Sequence, residues 1–160
     1  MARDLDLLPV WSNAIGLDRY MSRCRPRDEL ATGHNPVKGL FWFVIVVDGF
    51  DVGTIWLEPG IHSNQAVLGI FIGREDLLGQ GLGARAIFLA IAAFWKFHPT
   101  GAQVVLNVRE ANVRAIACYK SCGFQPISTT RKDLPSGKRI PVLLMQLDLG
   151  IPQPMAGSGM

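Results

Sequence analysis

The stretch LLGQGLGARAI, Leu77 to Ile87, sets glycines at 79, 81 and 83 and then turns apolar and helix-like. Glycine at alternate positions lets a backbone approach a ligand with no Cβ in the way, and the first N–H groups of a helix have no intrahelical partner. The chemistry on offer is anion binding, phosphate above all, reinforced by the helix dipole. Two nucleotide motifs fail here. A P-loop requires Lys and then Ser or Thr after its last glycine, where this chain has Ala84 and Arg85. A dinucleotide fingerprint requires G-x-G-x-x-G, but Gly79-Gln80-Gly81 is followed by Gly83. No acid closes the next strand either, since VVLNV runs to Arg109. Taken alone, the loop also fits a plain tight turn from strand to helix.

A second group of residues lies downstream, in NVREANVRAIACYKSCGF. Asn112 and Tyr119 stand seven residues apart, two helical turns, and so share one side of the helix, with Gly123-Phe124 directly after it. A tyrosine hydroxyl, with a pKa of about 10, is matched to protonating a departing thiolate. The spacing alone equally describes a packed tyrosine on a half-buried helix. Cys24, Cys118 and Cys122 form no metal-binding spacing with the three histidines, and no metal is expected. Cys118 and Cys122, four apart on the same helix, read as unpaired buried thiols.

LGQGLGA and ANVRAIACYKSCGF, in this order and about thirty residues apart, resemble the two signature motifs of the GNAT family of acetyl-CoA-dependent N-acetyltransferases. The resemblance spans roughly Val44 to Leu149. It implies acetyl-CoA as co-substrate, its pyrophosphate held by the backbone of Gly79, Gln80, Gly81, Leu82, Gly83 and Ala84. Gly81 and Gly83 match the last two fixed positions of the family's loop, while Leu78 stands where Arg or Gln is usual. The resemblance further implies that Phe71, Ile72 and Gly73, at the end of a splayed strand, pair with the pantetheine arm. Asn112 would hydrogen-bond the cofactor, Tyr119 would be the general acid, and the N–H of Ile72 or Phe71 would serve the oxyanion.

Departures from the family pattern bear on the acceptor. Many relatives carry Glu twelve residues ahead of the tyrosine, and this chain has Asn107 there, which takes no proton. A base would come from Glu75, Asp76, Glu58 or His62 through water, or be unnecessary for an amine that arrives neutral. The second motif is also similar to the aminoglycoside 6'-N-acetyltransferase branch. That branch holds its polycationic sugar with acids at positions that here are Gly69 and Asn107. Without them the main electrostatic attraction is lost. LGIFIGREDLLGQGLG is equally similar to the branch that acetylates protein N-termini and small amines. Trp11, Trp42 and Trp56 are candidates to line an acceptor pocket or to fill the core. The expected activity is transfer of acetyl to a primary amine of a small molecule or peptide, with aminoglycoside acetylation as one alternative. The other is a non-catalytic acyl-CoA-binding module.

These residues need elements to hold them. LLPVWSNAIGLDRYMS reads as an amphipathic helix beginning near Pro9, followed by a polar link from Arg23 to Lys38. Next, LFWFVIVV and FDVGTIWLEPG around Asp48-Gly49 form a hairpin. QAVLGIFIG is a third strand ending at Gly73. The glycine loop then leads into a helix from about Gly83 to Phe97, with Ile87, Ile91 and Phe94 as its core face. AQVVLNV is a buried strand, and ANVRAIACYKSC a short helix that Asn112 can cap and Gly123 can end. Two strands around PSGK close the domain.

The fold class is α/β (α+β), a mixed, mostly antiparallel sheet flanked by helices, with the family's usual first strand absent. Residues 1–149 form one domain and 150–160 a disordered tail. The uncovered sheet edge allows a homodimer. With 49% apolar residues and a formal charge of +3 in scattered, acid-broken patches, the chain shows no nucleic-acid signature. Neither of its two apolar runs spans a bilayer, and MARDLDLLPVW lacks the basic flank of a signal peptide, so a cytoplasmic location is expected.

Overall fold

The computed structural model describes residues 35–98 and 103–150. The expected helix near Pro9, most of the link after it, the missing first strand and the tail beyond Gly150 lie outside the described residues.

The hairpin forms where the sequence places it. Strands β1 (Phe41–Val47) and β2 (Phe50–Pro59) pair antiparallel from Phe41–Leu57 to Val47–Phe50. The turn between them has φ of 51° at Asp48 and 80° at Gly49. Two positive φ values make the primed turn whose twist suits paired strands. β3 (Gln65–Ile72) adds antiparallel to β2. After the glycine loop comes helix α1 (Leu82–Phe97), one residue earlier than the spacing predicts. It is followed by β4 (Gln103–Arg109), helix α2 (Val113–Ser121), β5 (Gln125–Asp133) and β6 (Arg139–Asp148). Among the described residues six strands lie in the order β1-β2-β3-β4-β6-β5, and only β3 and β4 run parallel.

Both helices pack on one face of this sheet. α1 contributes Ile87 and Phe94 at the spacing expected, with Ala86 and Ala90 between them letting the helix sit close to the strands. Phe41, Ile55, Leu57, Leu68, Leu106 and Met145 meet them from the sheet, and Phe41 packs edge-on against Phe94 with ring centroids 5.4 Å apart. Each such fully buried side chain contributes about 1.5–3 kcal/mol. β5 differs: all nine residues are exposed, because it is the outermost strand and the polar run STTRKD offers nothing apolar to bury. Its hairpin with β6 carries an exposed ion pair, Arg139 to Asp133 at 2.8 Å, which uses part of the basic patch seen in sequence. No helix among the described residues is long and apolar enough to cross a membrane.

Candidate active site

The loop between β3 and α1 is built to present backbone donors. Gly79 and Gly81 both have φ of 78°, the left-handed region, and both face open space. Gly81 is the N-cap of α1 and has no side chain to cap with, and the N–H groups of Leu82, Gly83 and Ala84 make no hydrogen bond among the described residues. The first return bond is from the Arg85 N–H to the Gly81 carbonyl at 3.2 Å. The N–H groups of Gly79, Gln80 and Gly81 also make no backbone hydrogen bond among the described residues. The Gln80 side-chain amide bonds back to the Asp76 carbonyl at 2.9 Å and steadies the loop. No acidic residue lies in the first turn of α1, so no side chain of that turn offsets the positive end of its dipole.

Beside this helix end the sheet opens. β3 and β4 pair only over Gln65–Gln103, Ala66–Val104 and Val67–Val105, although β3 continues to Ile72 and β4 to Arg109. Two bonds to the β2 side fix which β3 residues face away from the opening. The Gly60 N–H donates to the Gln65 carbonyl and the Gly73 N–H to the Val52 carbonyl, each at 2.8 Å. In an antiparallel pair this alternates, so Gln65, Val67, Gly69, Phe71 and Gly73 turn their amides to β2. Ile70 and Ile72 turn theirs into the opening. Of the three residues expected to line the arm, Ile72 turns its backbone amide into the opening, whereas the amides of Phe71 and Gly73 turn to β2. Ile70 escaped the sequence reading, since period-two alternation is visible in sequence but its parity requires the register.

The loop, the opening and the second helix meet at one point. A Cβ placed on Gly83 would stand 3.3 Å from Cys118 Sγ of α2 and 3.9 Å from Ile72 Cδ1 of β3. On α2, Asn112 is the N-cap: its Oδ1 accepts from the Ala115 N–H at 3.3 Å. The capping role read from sequence is therefore in place, and the carboxamide NH2 makes no hydrogen bond among the described residues. Tyr119 is half-buried, with its ring 6.1 Å from that of Phe124 in an edge-on contact. Burial, helped by the neighbouring Cys118 and Cys122 thiols, holds its hydroxyl well above the usual tyrosine pKa. Burial likewise pushes the Cys118 thiol up to about 11. Both groups are protonated across the physiological range. Cys118 and Cys122 are free, as expected.

The four groups considered as bases are dispersed. Asp76 accepts two hydrogen bonds from Arg74, at 3.1 and 2.6 Å, and this partner lowers its pKa and its basicity. Glu75, at the start of a 3-10 helix (Glu75–Leu77), and His62, in a bend before β3, are exposed. Glu58 is 5% exposed, on β2. The sheet face opposite the two helices carries the remaining candidates in a cross-strand row: Trp42 opposite Trp56, and Trp56 opposite Gly69. Asn107, two residues past Val105 on β4, lies on this same face beyond the last β3–β4 pair. Trp42 Nε1 donates to Thr54 Oγ1 at 2.6 Å. Trp11 lies outside the described residues. A groove of about 610 Å3 lies between β1 and α1, lined by Phe43, Val47, Leu77, Arg85, Leu89 and Ala93, and it reaches the glycine loop at Gln80 and Leu82. It offers no acid or nucleophile for acyl transfer.

A mostly antiparallel sheet opened at its one parallel pair, with a glycine-capped helix beside the opening, is the architecture of the GNAT acetyltransferases. The profile of that family, described as Acetyltransferase (GNAT) domain, matches residues 5–125, and the chain belongs to the family. A search of curated proteins finds no match. Among solved structures, a putative phosphinothricin N-acetyltransferase shares 18% identity at a TM-score of 0.74, over 94% of this chain and 95% of that one. The aminoglycoside acetyltransferase AAC(6')-Ib, in complex with coenzyme A and kanamycin, shares 17% at 0.70, over 93% and 91%. A GNAT-family acetyltransferase from Streptococcus pneumoniae shares 21% at 0.62, over 71% and 68%. At these identities the likeness is one of fold.

Proposed function

We propose that the protein transfers the acetyl group of acetyl-CoA to a primary amine of a small molecule or peptide by direct attack. The observation that carries this reading is the convergence at Gly83. Six successive backbone donors, Gly79 to Ala84, stand where the free edge of β3 and the helix bearing Tyr119 come together. A pyrophosphate fits such an array of N–H groups at a helix N-terminus. Solved neighbours with coenzyme A or acetyl-CoA bound add support. The amides of Ile70 and Ile72 are arranged to pair with the amide-bearing pantetheine arm. The Ile72 N–H is the donor best set to meet charge developing on the thioester oxygen. Tyr119, held protonated by burial, would supply the proton to the departing thiolate.

Thiol release measured over a panel of amines, with wild type and Tyr119→Phe, tests the proposal. Turnover on at least one amine that falls in Tyr119→Phe by about 10²-fold or more fits a general acid. Equal turnover by the two proteins would remove Tyr119 from the mechanism. One observation favours a second reading: Asn107 is an exposed carboxamide where an acid is usual, as in a non-catalytic acyl-CoA-binding module. Tight acetyl-CoA binding with no turnover on any amine would decide for that module.

A further inference from the structure

Two thiols on α2 play no part in the acetyl-transfer reading. Cys118 and Cys122 stand one helical turn apart, and that turn is intact: the Cys122 N–H donates to the Cys118 carbonyl at 3.2 Å. Side chains four apart on a helix share a face, with Cβ atoms about 5–6 Å from each other. Both cysteines are free and half-buried, and the Cys122 thiol lies close enough to raise the pKa of Cys118. A disulfide needs Cβ atoms about 3.5–4.5 Å apart, so a direct S–S bond would have to distort the turn. An atom inserted between the sulfurs lengthens the bridge and leaves the turn as it is. Among the described residues no third Cys, His, Asp or Glu joins the two in a cluster able to hold a metal ion. The pair therefore offers two sulfur ligands, short of the four that a structural zinc site takes.

We propose that Cys118 and Cys122 together bind monosubstituted trivalent arsenicals, R–As(OH)2, as a two-sulfur bridge, and that this adduct and acetyl-CoA exclude each other. The exclusion rests on the acetyltransferase reading; the bridge does not. Trivalent arsenic is soft and thiophilic, as the sulfur ligands require, and such a compound has one exchangeable hydroxyl for each thiol. Two S–H and two As–OH bonds break and two S–As bonds form. Each hydroxyl leaves with one thiol proton as water, arsenic stays trivalent, and no net charge develops. Alkylation differs, because its nucleophile is the thiolate. The Cys118 thiol, pushed up to about 11 by burial, is almost wholly protonated at pH 7 and so is slow to alkylate. The exclusion follows from position. Cys118 Sγ already stands tight against Gly83, 3.3 Å from a Cβ placed there. A substituent on that sulfur crowds the N-terminal turn of α1, where the backbone donors converge.

Phenylarsine oxide, hydrated in water to R–As(OH)2, is the probe, and intact mass reads the adduct without reference to turnover. Expected is one arsenical per chain with the loss of two waters, stripped by dimercaptopropanol and retained in the same concentration of mercaptoethanol. Closing the second S–As bond is intramolecular, so Cys118→Ala and Cys122→Ala should each weaken binding by at least about a hundredfold, while Cys24→Ala matches wild type. Saturating acetyl-CoA should weaken arsenical binding by about tenfold or more, and the adduct should weaken acetyl-CoA binding by the same factor. A wild-type adduct that mercaptoethanol strips as readily as dimercaptopropanol overturns the bridge, with no variant needed. Wild-type affinity in either single variant overturns it as well. A bridge that leaves acetyl-CoA affinity unchanged overturns the exclusion. A chain that forms the bridge but never binds acetyl-CoA, modified or not, defeats the parent reading and the exclusion with it, and upholds the dithiol site.

Discussion

Replacing Gly83 tests the point where the site is assembled. Its φ is not in the left-handed region, so a side chain meets no backbone penalty there. The obstacle is space: a Cβ at 3.3 Å from Cys118 Sγ is tighter than ordinary contact, and Ile72 Cδ1 closes the other side at 3.9 Å. Alanine gains helix propensity of up to about 1 kcal/mol and loses a similar amount to the crowded sulfur, so Gly83→Ala should leave stability within about 0.5 kcal/mol of wild type. Valine drives two more methyl groups into the same space, and Gly83→Val should cost about 1–3 kcal/mol. Removing the sulfur in Cys118→Ala opens that space. The double variant Gly83→Val/Cys118→Ala should therefore show a favourable coupling of about 1 kcal/mol in a urea-denaturation cycle. The alanine methyl points at Cys118 and Ile72 and leaves the backbone N–H groups in place, so Gly83→Ala should keep acetyl-CoA affinity within about threefold of wild type. If the double-variant cycle is additive to within about 0.3 kcal/mol, the contact between the two helices at Gly83 is not as described.

The raised pKa of Tyr119 gives a pH dependence with a definite sign. Thiol release should keep its acid-catalysed rate through pH 10, the ordinary tyrosine range, and a rate that halves near pH 10 would contradict a buried phenol. Stability follows the same group: its contribution is fully present below the unfolded value of about 10 and is lost as pH rises through the higher folded value, so the tyrosine's share of the denaturation midpoint should be lost on the alkaline side. At the start of α2, Asn112→Ala should destabilise by about 1 kcal/mol through the lost cap, while Asn112→Asp keeps the cap and its stability. Calorimetry with acetyl-CoA on the aspartate variant then isolates the ligand contact, because it retains the accepting oxygen and loses the NH2 donor.

Much of this arrangement was legible in the sequence because its signals are local. Asp48-Gly49 fixes a hairpin by its φ requirements, Asn112 caps by its side chain, and the glycines announce a backbone that must come close to something. The family motifs extended that reading to Tyr119 and to the loop. What stayed hidden depends on contacts between distant strands. The parity of β3, which brings Ile70 and Ile72 rather than Phe71 and Gly73 to the opening, follows from bonds to Val52 and Gly60. Gly69 read as a missing acid; the structure makes it the space taken by the Trp56 indole. The exposure of every residue in β5 likewise follows from its place at the sheet edge, which spacing does not encode.

The central claim is that backbone donors from Gly79 to Ala84 hold the pyrophosphate of coenzyme A. Calorimetric titration with coenzyme A and with pantetheine, which lacks the pyrophosphate and the 3'-phosphoadenosine, tests it most directly when 3'-phosphoadenosine alone is titrated as the control for the nucleoside. Two or more charge-assisted hydrogen bonds at about 1.5–3 kcal/mol each predict that pantetheine binds at least about a hundredfold more weakly. Equal affinity for the two ligands, or no binding of coenzyme A, would contradict the account.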